Sequence, residues 1–187
     1  MRIIAGRFRR KSLLAPSGDR TRPTTDRARE AVFSMVESRI YLEGARVLDL
    51  FAGTGALGLE ALSRGADTVT FVEQDAAVLN FARRNAEALG VEADCAFFRS
   101  DAVAFLEHYG GPGFDLILAD PPYELPDLPR LPELTLAHLE PDGLFMLEHD
   151  VRHSFDEHPN LETSRRYGRT VVSVFRSEPV EQDEEEG

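Results

Sequence analysis

The chain has 187 residues, a formal net charge of −12 and a single cysteine, Cys95. A domain of this length buries enough surface to be stable without disulfides, and one cysteine excludes an internal disulfide framework. No run of about 18 apolar residues could cross a bilayer and no charged-then-apolar leader opens the chain, so we expect a soluble cytoplasmic protein.

The positive charge is concentrated at the N-terminus. Residues 1–30 contain nine Lys or Arg and three acids, about +6, so the remainder carries about −18. We predict that residues 1–40 form a basic extension with a helix, residues 41–180 the main domain, and residues 181–187 a disordered acidic tail. The extension would bind RNA phosphates through Arg7, Arg9, Arg10, Lys11 and Arg22. Salt bridges to the acidic body are the alternative use of these charges.

The elements predicted in chain order begin with an extended arm to residue 23, with a short hairpin of residues 2–4 and 12–14. A helix starts near residues 24–26 and has Ala28, Val32, Phe33 and Val36 at helical spacing. Strands follow at 46–51, 68–73, 95–99, 114–119 and 143–148, separated by helices at 56–64, 76–89, 102–108 and 132–138. Strands 163–167 and 170–176 form a final hairpin around Gly168. This alternation predicts an α/β fold with a parallel doubly wound sheet and an antiparallel edge.

A glycine-rich turn follows the first strand. Gly53, Gly55 and Gly58 match G-x-G-x-x-G, and Glu73 lies twenty residues after Gly53 at the end of the second strand. This spacing is typical of dinucleotide-binding proteins, so an NAD-dependent oxidoreductase fits these residues as well as an S-adenosylmethionine-dependent enzyme.

Asp49 favours S-adenosylmethionine. A carboxylate at the strand end would repel a pyrophosphate, whereas it would attract a sulfonium and an ammonium group. The predicted cofactor residues are Asp49, Phe51, Gly53, Gly55, Glu73 and Asp101. Glu73 would accept from the ribose hydroxyls and Asp101 from the adenine amine. A helix-capping role for Asp101 is equally compatible with its position, and capping is also the alternative for Asp49.

The tetrapeptide Asp120–Pro121–Pro122–Tyr123 ends the fourth strand. The Asp120 carboxylate and the Pro121 carbonyl could accept both hydrogens of an exocyclic base amine, which turns its lone pair toward a methyl donor. Tyr123 would provide a face on which the base stacks. We therefore predict Asp120, Pro121 and Tyr123 as catalytic residues of an amine methyltransferase. The alternative is a turn that simply ends the strand.

With these residues together, the sequence resembles the RsmD-type family of bacterial methyltransferases, which modify the N2 amine of a guanine in small-subunit ribosomal RNA. The resemblance rests on residues 2–6, 21–31, 49–55, 120–123 and 167–170 and covers nearly the whole chain. The Pro-rich loop after Tyr123 and the acidic tail depart from the family pattern.

The resemblance implies a class I methyltransferase fold, Rossmann-like with a seven-stranded sheet, and S-adenosylmethionine as cofactor. It also implies 16S ribosomal RNA as substrate, within a partly assembled small subunit. We expect a monomer and no metal site. A DNA adenine-N6 methyltransferase, an NAD-dependent oxidoreductase and a non-catalytic RNA-binding module remain as alternatives.

Overall fold

The computed structural model describes residues 1–16 and 26–178. Predicted features at Arg22, at residues 24–25 and at 181–187 lie outside these ranges. The helices are α1 (Asp26–Glu37), α2 (Ala56–Ser63), α3 (Ala76–Leu89), α4 (Ala102–His108) and α5 (Leu131–Leu136). The strands are β1 (Arg46–Leu50), β2 (Thr68–Glu73), β3 (Cys95–Arg99), β4 (Phe114–Ala119), β5 (Leu139–Asp150), β6 (Leu161–Tyr167) and β7 (Thr170–Arg176).

The strands form one seven-stranded sheet in the order β3-β2-β1-β4-β5-β7-β6. The first five strands run parallel, whereas β7 pairs antiparallel with both β5 and β6. The strand order reverses between β1 and β4, and a crevice at such a point is where open α/β sheets bind ligands. The predicted architecture, including the C-terminal hairpin, is confirmed.

Apolar side chains fill both faces of the sheet. One face packs on α1, α2 and α3 through Phe33, Leu59 and Leu79, and the other packs on α4 and α5 through Phe105 and Leu131. All five side chains are at least nine-tenths buried. Burying a side chain of this kind contributes roughly 1.5–3 kcal/mol, so two such layers hold the doubly wound arrangement together.

Several predicted element boundaries are wrong. Phe51 is not part of the first strand, because its φ of 61° is left-handed and cannot continue an extended backbone. The fifth strand begins at Leu139, four residues before its predicted start. Asp142 (φ 63°) lies inside this strand, whose register with β4 shifts, and does not form a turn before it. The last helix begins at Leu131 and ends at Leu136, two residues before the predicted end.

The N-terminal arm folds onto the body. A single antiparallel bridge joins Arg2 to Ser12, where the hairpin was predicted. Ile3 and Leu13 are buried in the same apolar cluster as the sheet. The fully buried Glu60 of α2 accepts from the backbone N–H groups of Ile4 (2.8 Å) and Ala5 (2.9 Å). The arm is therefore an integral layer over α2.

The basic turn of the arm lies at the C-terminal end of α2. The Arg7 amide donates to the Ser63 carbonyl at 2.8 Å, and Arg7 also stacks over the Phe8 ring at 4.5 Å. The remaining predicted RNA-binding residues of the arm, Arg9, Arg10 and Lys11, are exposed. Because α2 rises 1.5 Å per residue, this turn is about 12 Å from the glycine-rich loop at the other end of the helix. RNA binding by the arm stays a prediction.

Within residues 1–16 and 26–178, no helix combines the length and the apolar character that a membrane span requires.

Candidate active site

A cavity of about 1040 Å³ opens at the carboxyl ends of β1, β4 and β5. Its lining includes the glycine-rich loop, the Asp-Pro-Pro-Tyr segment, the start of α1 and the turn between β6 and β7. Its volume is at the upper end of the range of small-molecule sites. Of the predicted site residues, the cavity brings together Asp49, Phe51, Gly53, Asp120, Pro121 and Tyr123.

The glycine-rich loop has a backbone that other residues would strain. Gly53 and Gly55 have φ values of 56° and 80°. A Cβ at Gly55 would lie 3.1 Å from the Ala82 Cβ, and one at Gly58 would lie 2.4 Å from the Phe71 ring. The glycines therefore allow a tight turn and a close approach of α2 to its neighbours.

Asp49 is buried beneath this loop, with 1% of its surface exposed. Its Oδ2 accepts from the Gly58 amide at 2.8 Å, so it holds the first turn of α2, the capping role left open by the sequence. Burial raises its pKa from 3.8 to about 7; the Gly58 hydrogen bond opposes this shift, and the charges of Asp120 and Glu73 add to it. A buried carboxylate facing a cavity gains from a cationic ligand, which restores the ionised form.

Three predicted cofactor residues lie outside the cavity lining. Gly55 begins α2. Glu73 accepts from the Gly53 amide at 3.1 Å and from the Asp75 amide at 2.9 Å, so it supports the backbone of the glycine-rich loop. Asp101 accepts from the Ala104 amide at 3.0 Å and caps α4, which is the alternative that its position allowed. Contacts of Glu73 and Asp101 with a cofactor stay predictions.

The Asp-Pro-Pro-Tyr segment is held by contacts from two other parts of the chain. Pro121 is buried, and Asp120 and Tyr123 are partly buried. The Tyr123 hydroxyl lies 3.0 Å from the Thr170 Oγ1 at the start of β7. Arg152 donates to the Tyr123 carbonyl at 3.2 Å. These contacts orient the tyrosine ring at the cavity before any substrate enters.

Glu148 lines the same cavity and was missed by the sequence analysis. In the parallel pairing of β4 with β5, Ala119 is the register partner of Leu147, so the next residues, Asp120 just after β4 and Glu148 within β5, are neighbours where this pairing ends. The available signal was positional: Glu148 is an acid at the carboxyl end of a parallel strand, as Asp120 is. Asp49, Asp120 and Glu148 thus bring three carboxylates to one cavity, an unfavourable environment for a pyrophosphate.

The N-terminal segment supplies part of the cavity wall, which the sequence analysis also missed. Met1, Arg27 and Arg29 line it. Arg29 is 1% exposed and donates to the Arg2 carbonyl at 2.7 Å, and burial lowers the pKa of its guanidinium. This arginine therefore fastens the arm to α1 at the edge of the cavity.

The residues present fit S-adenosylmethionine better than the other groups considered. A buried carboxylate with a raised pKa and an open, left-handed loop suit a cationic ligand that approaches the backbone closely. Among the residues that the structure describes, no group of three or more His, Cys, Asp or Glu side chains could hold a metal ion.

The chain is similar to known proteins over most of its length. A family model described as "Conserved hypothetical protein 95" matches residues 1–176. The "Ribosomal RNA small subunit methyltransferase D" of Escherichia coli (strain K12) is 34% identical over 187 residues, covering 95% of this chain and 90% of that protein. The solved structure of yhhF from Escherichia coli has a TM-score of 0.83 at 32% identity, covering 96% of this chain and 99% of its own.

A more distant structure shares the fold. It is the Thermus thermophilus 16S rRNA N2 G1207 methyltransferase RsmC, in complex with AdoMet and guanosine. Its TM-score is 0.69 at 22% identity, over 85% of this chain and 45% of its own. The predicted class I methyltransferase fold is confirmed, and the methyltransferase relatives support S-adenosylmethionine as the cofactor. The chain belongs to the family of conserved hypothetical protein 95, as its resemblance to RsmD-type methyltransferases predicted.

Proposed function

We propose that this protein methylates the N2 amine of a guanine in 16S ribosomal RNA, within a partly assembled small subunit in the cytoplasm. The similarity to a small-subunit ribosomal RNA methyltransferase supports the RNA substrate. The observation that carries the choice of base is the pair of carboxylates, Asp120 and Glu148, at one end of an aromatic-lined cavity.

Asp120 and the Pro121 carbonyl act on the amine. The lone pair of an exocyclic amine is delocalised into the base, so the nitrogen is a poor nucleophile until its geometry changes. Two acceptors draw the nitrogen toward tetrahedral geometry, and Asp120 stabilises the positive charge that develops there. S-adenosylmethionine, when bound, supplies the methyl group from its sulfonium. The methyl group would pass to the nitrogen with loss of its bond to sulfur, and the methylated nitrogen, held by Asp120 and the Pro121 carbonyl, would release a proton to solvent.

Glu148 supports guanine over the other bases that carry an amine. Beside its N2 amine, guanine has a ring N1–H donor, whereas adenine and cytosine have a ring acceptor next to theirs. A carboxylate accepts from N–H groups and repels ring acceptors. With Asp120 at one hydrogen of the amine, Glu148 is in the neighbouring position for the N1–H group. This chemistry favours guanine-N2 over the adenine-N6 alternative.

We expect Glu148→Gln to weaken the preference for a ring N–H donor. A good bidentate contact to a base edge contributes about 1–3 kcal/mol of discrimination. The wild-type protein should therefore methylate guanine at a kcat/KM roughly 10- to 100-fold above that for 2-aminopurine at the same position, because 2-aminopurine keeps the amine and lacks the N1–H. In Glu148→Gln this ratio should fall toward one. Single-turnover methylation of RNA carrying either base measures it.

Glu157→Gln is the matched control, because it makes the same change of charge at an exposed residue outside the cavity lining. If Glu148→Gln kept the full preference for guanine, the proposed role of Glu148 would be contradicted. The proposal that the protein methylates RNA would not be affected by that result.

Asp49 should make cofactor binding dependent on pH. A cationic ligand favours the ionised carboxylate, whose pKa in the ligand-free protein is about 7. Affinity for S-adenosylmethionine should therefore rise from about pH 6 to about pH 8 and level off above the pKa, with a limiting slope of about tenfold per pH unit below it. Calorimetry at several pH values in two buffers would also detect the proton released on binding.

Asp49→Asn should bind more weakly above neutral pH and should lose this part of the pH dependence. The same raised pKa predicts that the ligand-free protein loses stability as the pH rises from about 4 through 7, since only the folded state holds the proton in that range. If cofactor affinity depended on pH as steeply in Asp49→Asn protein as in the wild type, Asp49 would be excluded as a partner of the cation.

The proposed function is tested by transfer of a radiolabelled methyl group to unmodified 16S ribosomal RNA, free and in partly assembled subunits. Mapping of the labelled nucleotide should identify a guanine modified at N2. Label on an adenine or on DNA would overturn the proposal in favour of the adenine-N6 alternative.

A further inference from the structure

Half of the eighteen arginines in the described residues are engaged with carboxylates, and those of the β6–β7 turn are not among them. Nine arginines of the described residues form ion pairs: Arg2, Arg7, Arg29, Arg39, Arg46, Arg64, Arg130, Arg152 and Arg176. Arg165, Arg166 and Arg169 are exposed, and within residues 1–16 and 26–178 no carboxylate lies within ion-pair distance of them. Three positive charges are therefore available to a ligand here.

The turn holds these arginines in defined places. Tyr167 and Thr170 are register partners, so Gly168 and Arg169 form a two-residue turn, and Gly168 supplies the positive φ of 66° that it needs. Arg166 donates from Nε to the Gly168 carbonyl at 2.8 Å. Arg165 and Arg166 come just before the turn in β6. Since successive residues of a strand point to opposite faces, their side chains lie on the two faces of the sheet beside the turn.

The turn is part of the cavity rim. Tyr167, Gly168 and Thr170 line the cavity, and Thr170 contacts the Tyr123 hydroxyl at 3.0 Å. Arg169 lies between two of these lining residues in the chain. Arg27 of α1 lines the same cavity, is exposed, and has no ion pair with any residue in the described ranges. A nucleotide whose base enters the cavity would leave its phosphates close to these side chains.

We propose that Arg165, Arg166 and Arg169, together with Arg27, bind the RNA phosphates that flank the target nucleotide. The inference rests on the proposed function in taking RNA as the substrate. A base that enters such a pocket must be unstacked from its strand, at a cost of a few kcal/mol. Contacts to the flanking phosphates offset this cost and fix the register without reading sequence. The planar guanidinium group of arginine is suited to such contacts.

This surface differs from the one predicted on the arm. The arm's basic turn lies at the other end of α2, about 12 Å from the glycine-rich loop, so it would contact parts of the RNA further from the target nucleotide. The β6–β7 turn is adjacent to Tyr123. A single-stranded RNA of only a few nucleotides around the target would therefore contact the β6–β7 turn before it contacts the basic turn of the arm.

The test compares two triple variants with the same loss of charge. One is R165Q/R166Q/R169Q on the β6–β7 turn. The control is R83Q/R84Q/R99Q on α3 and β3, exposed and at the opposite edge of the sheet. Binding of a short single-stranded RNA that contains the target guanine is measured against salt concentration, together with S-adenosylmethionine affinity, thermal stability and single-turnover methylation.

In the turn variant, the slope of log K against log salt should decrease by about 2, because each lost single-strand phosphate contact contributes about 0.7. Affinity at 0.1 M salt should fall on the order of 100-fold, and the KM for RNA should rise. Cofactor affinity and the rate at saturating RNA should stay close to wild type. The control variant should keep most of the slope.

An equal loss in both variants would mean that only net charge matters, and an unchanged slope in the turn variant would mean that the RNA lies elsewhere; either result overturns the inference. These results differ from a failure of the proposed function, in which the wild-type protein itself transfers no methyl group to ribosomal RNA.

Discussion

Replacing Asp120 with alanine is expected to reduce single-turnover methyl transfer by about 10²–10³, the usual effect of losing one preorganised electrostatic contact in an active site. The residue is partly buried at the cavity, one position after β4, and its charge contributes to the raised pKa of Asp49. Cofactor binding at neutral pH should therefore not weaken, because removing a neighbouring negative charge favours the ionised form of Asp49. The measurement is the rate at saturating RNA and cofactor, with calorimetry of S-adenosylmethionine binding.

Asp120→Asn separates orientation from charge. It keeps one oxygen acceptor for the amine and lacks the negative charge, so we expect partial activity between that of wild type and Asp120→Ala. Wild-type rates in Asp120→Ala would show that the tetrapeptide is a structural turn and that the amine is held by other groups.

Glu60→Ala should have the largest effect on stability of any single change considered. The Glu60 carboxylate is fully buried and also accepts from Arg64 Nε at 2.9 Å. Without it, the amides of Ile4 and Ala5 and the nearly buried Arg64 lose their shared partner. Breaking a buried charged network by removing one member typically costs about 3–5 kcal/mol. The midpoint of thermal unfolding should fall by roughly 10 °C or more.

Glu60→Gln and Glu87→Ala serve as controls. Glutamine keeps an oxygen for one of the two amides and should lose less stability than alanine. Glu87 is exposed on α3, so its truncation should change the free energy of unfolding by less than about 0.5 kcal/mol. Equal midpoints for Glu60→Ala and Glu87→Ala would contradict the anchoring role of Glu60.

The anchoring of the arm also affects the site. Met1 and Arg29 line the cavity, and Arg29 binds the Arg2 carbonyl. Loosening the arm at Glu60 should therefore disturb one wall of the cavity, even though Glu60 itself is not part of the lining. A loss of RNA binding in Glu60→Ala would follow from this packing and would not identify the arm as an RNA-binding surface.

The sequence was sufficient for the local features of the site. The positive φ at Gly53 and Gly55 and the close packing at Gly58 admit few residues other than glycine, so the loop is readable from its spacing. The tetrapeptide after β4 is readable for a similar reason, since two consecutive prolines restrict the backbone. Alternating apolar strands and helical repeats predicted the parallel sheet, because such connections have one favoured hand and need a helix to cross over.

Other features depended on how distant segments meet in three dimensions. Glu148 became a site residue only through the register of β4 with β5, and Asp49 acquired its raised pKa only by burial near Asp120 and Glu73. The arm looked like a free basic extension because its apolar residues, Ile3 and Leu13, are too far apart in sequence to form a periodic face. Hydrophobic patterns report whether a residue is inside, whereas the identity of its neighbours is decided by tertiary packing.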